Sequence, residues 1–173
     1  MSRSFEVLAP TLPGHAGGPP LPDDLDLVGW AAGFVDEPVH VAGNSLGGWL
    51  ALALAAEGLT RSVVALAPAG GADHAGVLER QSALVESGVV GHPGARRLLA
   101  HAREHGWPLD PARVTCPVRF VWGTADPLLP WPESAAAYRA SFPHADWVEL
   151  EDAGHHPQLD DPVVCAELIV GWT

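Results

Sequence analysis

A short glycine-rich segment places one serine where its hydroxyl could act as a nucleophile. Gly43, Asn44, Ser45, Leu46 and Gly47 match the pattern G-x-S-x-G, and Asn44 is the chain's only asparagine. The match lies between a strand-like VHVA and a helix-like LGGWLALALAAE. A sharp turn between a strand and a helix lifts a serine hydroxyl above the sheet edge. The alternative is an ordinary glycine-rich turn whose serine caps the helix.

Two later residues could activate this serine. A serine hydroxyl is a weak nucleophile that needs a base, and the base needs an acid to orient it. Asp126 follows the strand-like VRFVW, and His155 follows the strand-like WVEL, which gives the chain order Ser, acid, His. Alone, Asp126 could simply begin an Asp-Pro turn, and His155 could lie in a surface loop. Their order and positions together predict a catalytic triad of Ser45, Asp126 and His155.

The elements that must position these residues alternate between strand and helix. Such alternation predicts an α/β fold, with a mostly parallel sheet of about five strands and flanking helices. Ser45, Asp126 and His155 would then share the carboxyl edge of the sheet, where open α/β folds bind ligands. The predicted strands are Phe5–Ala9, Val39–Ala42, Ser62–Ala67, Val118–Trp122 and Trp147–Leu150, and the predicted helices are Asp23–Val35, Leu46–Glu57, Pro132–Phe142 and Pro162–Trp172.

The middle of the chain differs from this pattern. Residues 70–113 hold four of the nine histidines and only weak helical signals, near Val77–Ser87 and Ala95–His105. We interpret this stretch as a short cap inserted into one domain of residues 1–173.

Composition excludes several function classes. The chain has 9 basic residues, all arginine, and 21 acidic ones, for a net charge of −12. Nucleic acids and anionic membranes require clustered positive charge, so we expect neither as a partner. The absence of lysine removes Schiff-base chemistry and phosphate loops of the Walker type. With no long apolar run and two cysteines that make no disulfide framework, we expect a cytoplasmic protein with reduced Cys116 and Cys165.

A metal site is the main competing signal. His101 to His105 match the zinc pattern H-x-x-E-H on a predicted helix, which would place two histidines on one face. No third ligand is identifiable, and Arg103 would oppose a cation. We therefore expect no metal and no cofactor.

The joint pattern resembles the α/β-hydrolase fold family across nearly the whole chain. GNSLGG at 43–48 resembles the family's nucleophile elbow, CP to DP at 116–127 its acid segment, GHHP through DP at 154–162 its histidine loop, and APTLPGHAGG at 9–18 the segment after its fourth strand. The resemblance implies that His155, directly after glycine, is the base rather than His156. It also implies that His15 lies in a loop near the site.

The sequence departs from this family at its front. The resemblance implies three further strands before Phe5–Ala9. In the family, a loop after the third of these strands donates one of the two backbone N–H groups of the oxyanion hole. The other donor in this chain would be Leu46. The third strand would also separate Phe5–Ala9 from Val39–Ala42, so its absence leaves unpaired backbone unless another chain fills the gap. A homo-oligomer that covers these strands is therefore an open expectation.

These inferences predict a serine hydrolase that acts on a small ester-like carbonyl substrate, with activity weakened by the missing oxyanion loop. Asn44, Trp131 and His15 are candidate substrate-pocket residues. The resemblance implies that the family's dehalogenases and epoxide hydrolases use Asp as nucleophile, so Ser45 argues against those activities. The open alternatives are a non-catalytic or incomplete relative that needs a second chain, and a cofactor-free perhydrolase or acyltransferase with the same triad.

Overall fold

Four parallel strands form one sheet in the order β1-β2-β3-β4 in the computed structural model, which describes residues 5–70, 74–88 and 94–173. The α/β class and the parallel sheet are thus confirmed, with one strand fewer than expected. The strands are β1 (Val39–Asn44), β2 (Thr60–Leu66), β3 (Val118–Gly123) and β4 (Asp146–Leu150).

Seven α-helices in the described part of the chain connect and flank these strands. They are α1 (Leu27–Ala32), α2 (Leu46–Ala56), α3 (His74–Glu86), α4 (Ala95–His105), α5 (Ala136–Ser141), α6 (Pro157–Asp160) and α7 (Pro162–Val170); short 3-10 turns span Pro111–Arg113 and Glu133–Ala135. None of the helices in the described ranges has the length and apolarity needed to cross a membrane.

The predicted first helix, Asp23–Val35, is shorter than expected. The side chain of Asp26 accepts a hydrogen bond from the backbone N–H of Gly29 at 2.7 Å and caps α1. A cap oxygen that satisfies an otherwise free N–H fixes where a helix begins. Helix α1 therefore starts after Asp26 rather than at Asp23 or Asp24.

The predicted strand Phe5–Ala9 is wrong. These residues form no strand, and Val7 and Leu8 are 54% and 66% exposed. A β-strand is stabilised by bonds to a neighbouring strand, and among the described residues β1 pairs only with β2. The segment has the composition of a strand, but in the described structure it pairs with no other strand.

One edge of β1 is open as a result. Val39 N–H donates to the Leu59 carbonyl at 3.3 Å, and Ser45 N–H donates to the Leu66 carbonyl at 2.9 Å. Because alternate residues of a parallel strand bond in opposite directions, the backbone groups of His40, Ala42 and Asn44 face the open side. This edge ends beside the candidate nucleophile.

The sheet lies between two apolar layers because the side chains of β2 alternate. Val63 and Ala65 pack with α2 and with Phe120 on one face. Val64 and Leu66 pack with Cys165 of α7 on the other. Helix α2 is buried along Gly48–Ala55, which fixes its first turn, and hence Ser45, against the sheet.

Candidate active site

Ser45 sits in a strained turn between β1 and α2. Its backbone has φ 53° and ψ −117°, a combination that is costly for a residue with a side chain. The turn is held from both sides, because Ser45 N–H donates to Leu66 while the Ser45 carbonyl accepts from the N–H groups of Trp49 at 3.0 Å and Ala69 at 2.9 Å. Residues held in such strained conformations cluster at functional sites, which agrees with the predicted role of Ser45.

Close backbone approach requires a glycine at residue 43 and leaves little space for a side chain at residue 48. A Cβ on Gly43 would lie 2.2 Å from the Gly47 carbonyl oxygen, and one on Gly48 would lie 3.0 Å from Cα of Pro68. A Cβ on Gly47 would meet nothing within 4 Å. The steric requirement of this turn therefore falls on Gly43 and Gly48 and not on Gly47.

The structure brings Asp126 and His155 together. His155 Nδ1 lies 2.8 Å from Asp126 Oδ2, and both side chains are buried. The other carboxylate oxygen, Oδ1, accepts from the backbone N–H groups of Leu128 and Leu129, each at 2.8 Å. These two bonds fix the carboxylate, which in turn orients the imidazole.

The remaining ring nitrogen of His155 has the property that a base requires. An ionised carboxylate can only accept, so Nδ1 carries the proton and the neutral ring presents a lone pair at Nε2. This Nε2 atom is buried and has no hydrogen-bond partner among the described residues. Ser45 and His155 line the same cavity, and catalytic hydrogen bonds often close only when substrate binds.

This cavity has a volume of about 390 Å³ and opens between the sheet edge and the cap region. Among the predicted site residues, Asn44, Ser45, Leu46, His15 and His155 contribute to its wall. From the cap region, α3 and α4 contribute mainly apolar side chains, including those of Leu84, Val85, Leu98 and Leu99. The cavity is therefore lined by polar side chains near Ser45 and His155 and by mainly apolar side chains from α3 and α4.

Leu46, the predicted oxyanion donor, is the first residue of α2. The first N–H groups of an α-helix have no acceptor within the helix, and the helix dipole favours negative charge at that end. The Leu46 N–H is therefore suited to stabilise an oxyanion that forms on a substrate bound at Ser45.

Asn44 has a larger role than sequence reasoning assigned to it. Its Nδ2 donates to the carbonyl oxygens of Leu66 at 3.0 Å and His155 at 2.9 Å. Its Oδ1 lies 2.7 Å from His156 Nδ1 and 3.3 Å from Gln158 Nε2. One side chain thus ties β1, β2 and the histidine loop together. The chain's only Asn next to Ser45 was the signal that could have revealed this.

The structure places Trp131 apart from these residues. Its ring centroid lies 6.0 Å from that of Trp122 and 6.2 Å from that of Trp147, and Arg139 lies over its face at 4.6 Å. Trp131 packs against the core beside α5 and is absent from the wall of the 390 Å³ cavity. The prediction that Trp131 lines the substrate pocket is therefore wrong. It relied only on the closeness of Trp131 to Asp126 in the sequence.

His156 is a cavity residue that sequence reasoning left unassigned. Its ring centroid lies 4.9 Å from that of His155, at an interplanar angle of 61°. Although His156 is exposed, desolvation of its ring and the neighbouring His155 lower its pKa from the ordinary 6.5, while Asp126 and Asp160 act in the opposite direction. The ring is therefore neutral at neutral pH.

His101 and His105 lie on α4, with ring centroids 4.9 Å apart. Within the described ranges, no group of three or more His, Cys, Asp or Glu side chains could hold a metal ion. His101 instead packs against Trp107, with ring centroids 5.5 Å apart.

Known proteins are similar to this chain in sequence and in fold. The sequence profile of the alpha/beta hydrolase family matches residues 1–168. Mesoderm-specific transcript homolog protein from Homo sapiens is 42% identical over 62 residues, covering 35% of this chain and 18% of that protein. Epoxide hydrolase EphH from Mycobacterium tuberculosis is 51% identical over 47 residues, covering 27% of this chain and 19% of that protein. The matches thus span less than a fifth of the length of these two relatives.

A solved structure extends the likeness to the fold. The crystal structure of E-2-(acetamidomethylene)succinate hydrolase aligns with a TM-score of 0.70 over 85% of this chain and 72% of that one, at 20% identity. An identity this low supports the fold alone. Fold and site together define an α/β-hydrolase-type domain. The chain belongs to the alpha/beta hydrolase family.

Proposed function

We propose that this protein is a serine hydrolase that cleaves a small ester-like carbonyl compound through Ser45, Asp126 and His155. The observation that carries the proposal is the buried Nε2 of His155, which has no hydrogen-bond partner among the described residues and belongs to the cavity that Ser45 also lines, with Nδ1 held on Asp126 at 2.8 Å. A buried polar atom without a partner is costly, and proton abstraction from Ser45 gives this one a function.

The reaction follows from these positions. Ser45 Oγ attacks the carbonyl carbon and passes its proton to His155 Nε2, while Asp126 stabilises the imidazolium. The tetrahedral oxyanion is stabilised by the Leu46 N–H. Its collapse breaks the bond to the leaving alcohol, which takes the proton from Nε2. Water then attacks the acyl-Ser45 ester by the same steps and releases the acid.

The oxyanion hole sets the expected rate. A hole that lacks one of two donors costs about 10²–10³ in turnover, or roughly 2.7–4 kcal/mol. Among the described residues, Leu46 is the backbone donor that we assign to the hole. If it acts alone, hydrolysis should be slow, and a second donor from a rearranged loop or a partner would raise the rate.

Epoxide hydrolysis is disfavoured despite the similarity to EphH. Attack on an epoxide by a carboxylate forms an ester, which water can cleave at its carbonyl carbon. Attack by Ser45 would form an ether without such a carbonyl. The Ser45 nucleophile therefore suits acyl compounds, including transfer of the acyl group to an alcohol or peroxide in place of water.

A fluorophosphonate probe tests the nucleophile directly. We expect labelling of the purified protein at one site, located by peptide mass spectrometry at Ser45, and loss of labelling in Ser45→Ala. Ser87→Ala provides the control, because Ser87 is an exposed serine that directly follows α3 and whose hydroxyl donates to the Leu84 carbonyl at 3.1 Å; this variant should keep the labelling. Labelling that persists in Ser45→Ala, or its absence from folded wild-type protein, would reject the proposal.

A second candidate is an enzyme completed by another copy of the chain. Among the described residues, no strand pairs with the side of β1 that the backbone groups of His40, Ala42 and Asn44 face, and this supports the candidate. The exposed apolar side chains of Val7 and Leu8 support it as well. An exposed strand edge readily pairs with another chain. Such pairing would bring new backbone donors to the side of Ser45.

Concentration dependence distinguishes the two candidates. Completion by a second copy predicts that mass by light scattering and specific labelling rate rise together with protein concentration. A labelling rate per molecule that is constant while the protein stays monomeric would reject the second candidate and leave the first intact.

A further inference from the structure

The orientation of the Asn44 amide is determined by its neighbours. Nδ2 lies within hydrogen-bond distance of two backbone carbonyls, those of Leu66 at 3.0 Å and His155 at 2.9 Å. Carbonyl oxygens only accept, so the NH₂ group must face them. The Oδ1 atom consequently faces the histidine loop and can only accept.

This orientation fixes the tautomer of His156. Its Nδ1 lies 2.7 Å from Asn44 Oδ1 and must therefore carry the proton. Gln158 Nε2, at 3.3 Å, donates to the same oxygen. A neutral imidazole carries only one N–H, so Nε2 of His156 holds a lone pair and is an acceptor.

The groups around His156 keep this ring neutral at neutral pH. Desolvation of the ring and His155 lower its pKa, and the carboxylates of Asp126 and Asp160 only partly offset them. Its two direct hydrogen-bond neighbours, Asn44 and Gln158, are uncharged. The lowered pKa therefore favours the neutral ring, with its lone pair on Nε2, over the protonated one.

The acceptor belongs to the wall of the cavity that Ser45 and His155 line. No side chain in the described ranges donates a hydrogen bond to His156 Nε2. Most of the wall contributed by the cap is apolar, with Leu84, Leu98 and Leu99 among its residues. His156 is itself exposed, so its acceptor is accessible to a ligand bound in the cavity, and a polar acceptor beside apolar side chains favours ligands that carry a matching donor.

We propose that His156 is a specificity-determining residue whose Nε2 accepts a hydrogen bond from a hydroxyl or N–H group on the substrate. The substrate class is then an ester with such a donor close to the scissile carbonyl, as in a hydroxy acid ester. This inference rests on the proposed hydrolase function and names the substrate class of the same site. In this proposal His155 is the base, and His156 accepts the hydrogen bond from the substrate's hydroxyl or N–H group.

Matched ester pairs test this inference. The p-nitrophenyl esters of 2- and 3-hydroxybutyrate are compared with their methoxy counterparts, which keep the oxygen and lose only the donor. We expect wild-type kcat/KM to favour the hydroxy member of at least one pair by about tenfold, the effect of one good hydrogen bond. In His156→Phe this ratio should fall to about one, and His156→Gln, whose amide oxygen can accept, should recover part of it.

His15→Phe is the matched control at another histidine of the same cavity wall. A second control, His144→Phe, makes the same substitution at an exposed histidine that does not line this cavity, and the hydroxy preference should survive it with the overall rate unchanged. Equal rates for both members of both pairs in the wild type, or a preference that survives in His156→Phe, would overturn the inference.

The pH dependence of the ratio gives a second readout. Protonated His156 carries N–H at both ring nitrogens and cannot accept, so the hydroxy preference should fall as pH drops through the lowered pKa of His156. Both members of a pair require His155 equally, so its titration cancels in the ratio. If Ser45 is labelled but the ratio of kcat/KM for the hydroxy and methoxy esters does not change with pH, only the role of His156 is overturned. If Ser45 is not labelled, the hydrolase function is overturned as well.

Discussion

The Nδ2 atom of Asn44 donates a hydrogen bond to the carbonyl oxygen of His155 at 2.9 Å, so the residue before Ser45 holds the backbone of His155, the proposed base. The same atom donates to Leu66 at the end of β2. Asn44 of β1 is therefore bonded both to β2 and to the histidine loop, and we infer that it helps to set the relative position of Ser45 and His155. This makes Asn44 a positioning residue for the proposed reaction.

Replacing Asn44 by Ala should lower both stability and the rate of Ser45 labelling. The Leu66 carbonyl would keep its bond from Ser45 N–H, whereas the His155 carbonyl would lose its donor. An unsatisfied polar group of this kind costs about 1–3 kcal/mol. Urea unfolding should record that loss, and the labelling rate should fall because His155 is no longer fixed.

Gln158→Ala is the control for Asn44→Ala. It removes only the 3.3 Å bond to Asn44 Oδ1 and leaves both carbonyl partners of Asn44 in place. Labelling should then stay near the wild-type rate. Equal losses in the two variants would show that Asn44 acts through general packing of the loop.

Much of this arrangement follows from sequence alone. The parallel strands carrying VHVA, SVVALA and VRFVW are short β-branched runs between helical segments, and parallel connection places their carboxyl ends at one edge. Ser45 and Asp126 at those ends, with His155 after the last strand, could therefore be expected to converge. The observed 2.8 Å contact between His155 and Asp126 agrees with that expectation.

The rest depends on contacts that local patterns do not contain. Phe5–Ala9 has strand composition, but a strand also needs a neighbour, and β1 presents none to it in the described structure. Trp131 lies near Asp126 in sequence, yet it packs on Trp147 instead of the cavity. The bonds from Asn44 to His155 and His156 span more than 100 residues and have no local signature.

Asp126→Asn should nearly abolish the reaction while leaving the fold intact. Asn can keep the bonds to Leu128 and Leu129 through its oxygen, but its NH₂ group would then face His155 Nδ1. The imidazole would have to shift its proton to Nε2, which could no longer accept the proton of Ser45. A comparable tautomer change in chymotrypsin-type enzymes costs about 10⁴ in kcat, and ester hydrolysis should fall to that extent.

Asp160→Asn is the matched control for charge. Asp160 Oδ2 accepts from Gly154 N–H at 2.8 Å in the same loop, but it does not hold the base. Its amide variant removes a negative charge near the site and should retain most activity. A loss as large as that of Asp126→Asn would assign the effect of both variants to charge rather than to the tautomer.

Gly43→Ala and Gly47→Ala should have opposite effects although both glycines belong to G-x-S-x-G. A Cβ at residue 43 would collide with the Gly47 backbone at 2.2 Å, whereas residue 47 has open space. Gly43→Ala should therefore unfold the protein or remove the elbow. Gly47→Ala lies in α2, where alanine is favoured over glycine by about 1 kcal/mol, and its melting temperature should be unchanged or higher. Equal stability of both variants in thermal unfolding would contradict this.

Tyr138 should control the alkaline limit of stability. Its hydroxyl donates to the Ala69 carbonyl at 2.6 Å, and the Ala69 N–H in turn supports the Ser45 carbonyl. Burial raises the pKa of Tyr138 far above its ordinary 10.0. The folded state therefore holds this proton more tightly than the unfolded chain, and the stability it contributes is present below pH 10 and lost as pH rises above it.

The composition of the chain makes this effect unusually easy to isolate. Tyr138 is the only tyrosine, there is no lysine, and arginine does not deprotonate in proteins. Above pH 10 the free energy of unfolding should fall by up to about 1.4 kcal/mol per pH unit through this group, and Tyr138→Phe should remove that slope.

Cys165 also has a pKa raised by burial, so Cys165→Ala serves as the control and should keep the tyrosine-dependent part. Because no other tyrosine contributes, tyrosinate absorbance should appear together with unfolding in the wild type, and its appearance in the folded protein near pH 10 would contradict the buried hydrogen bond.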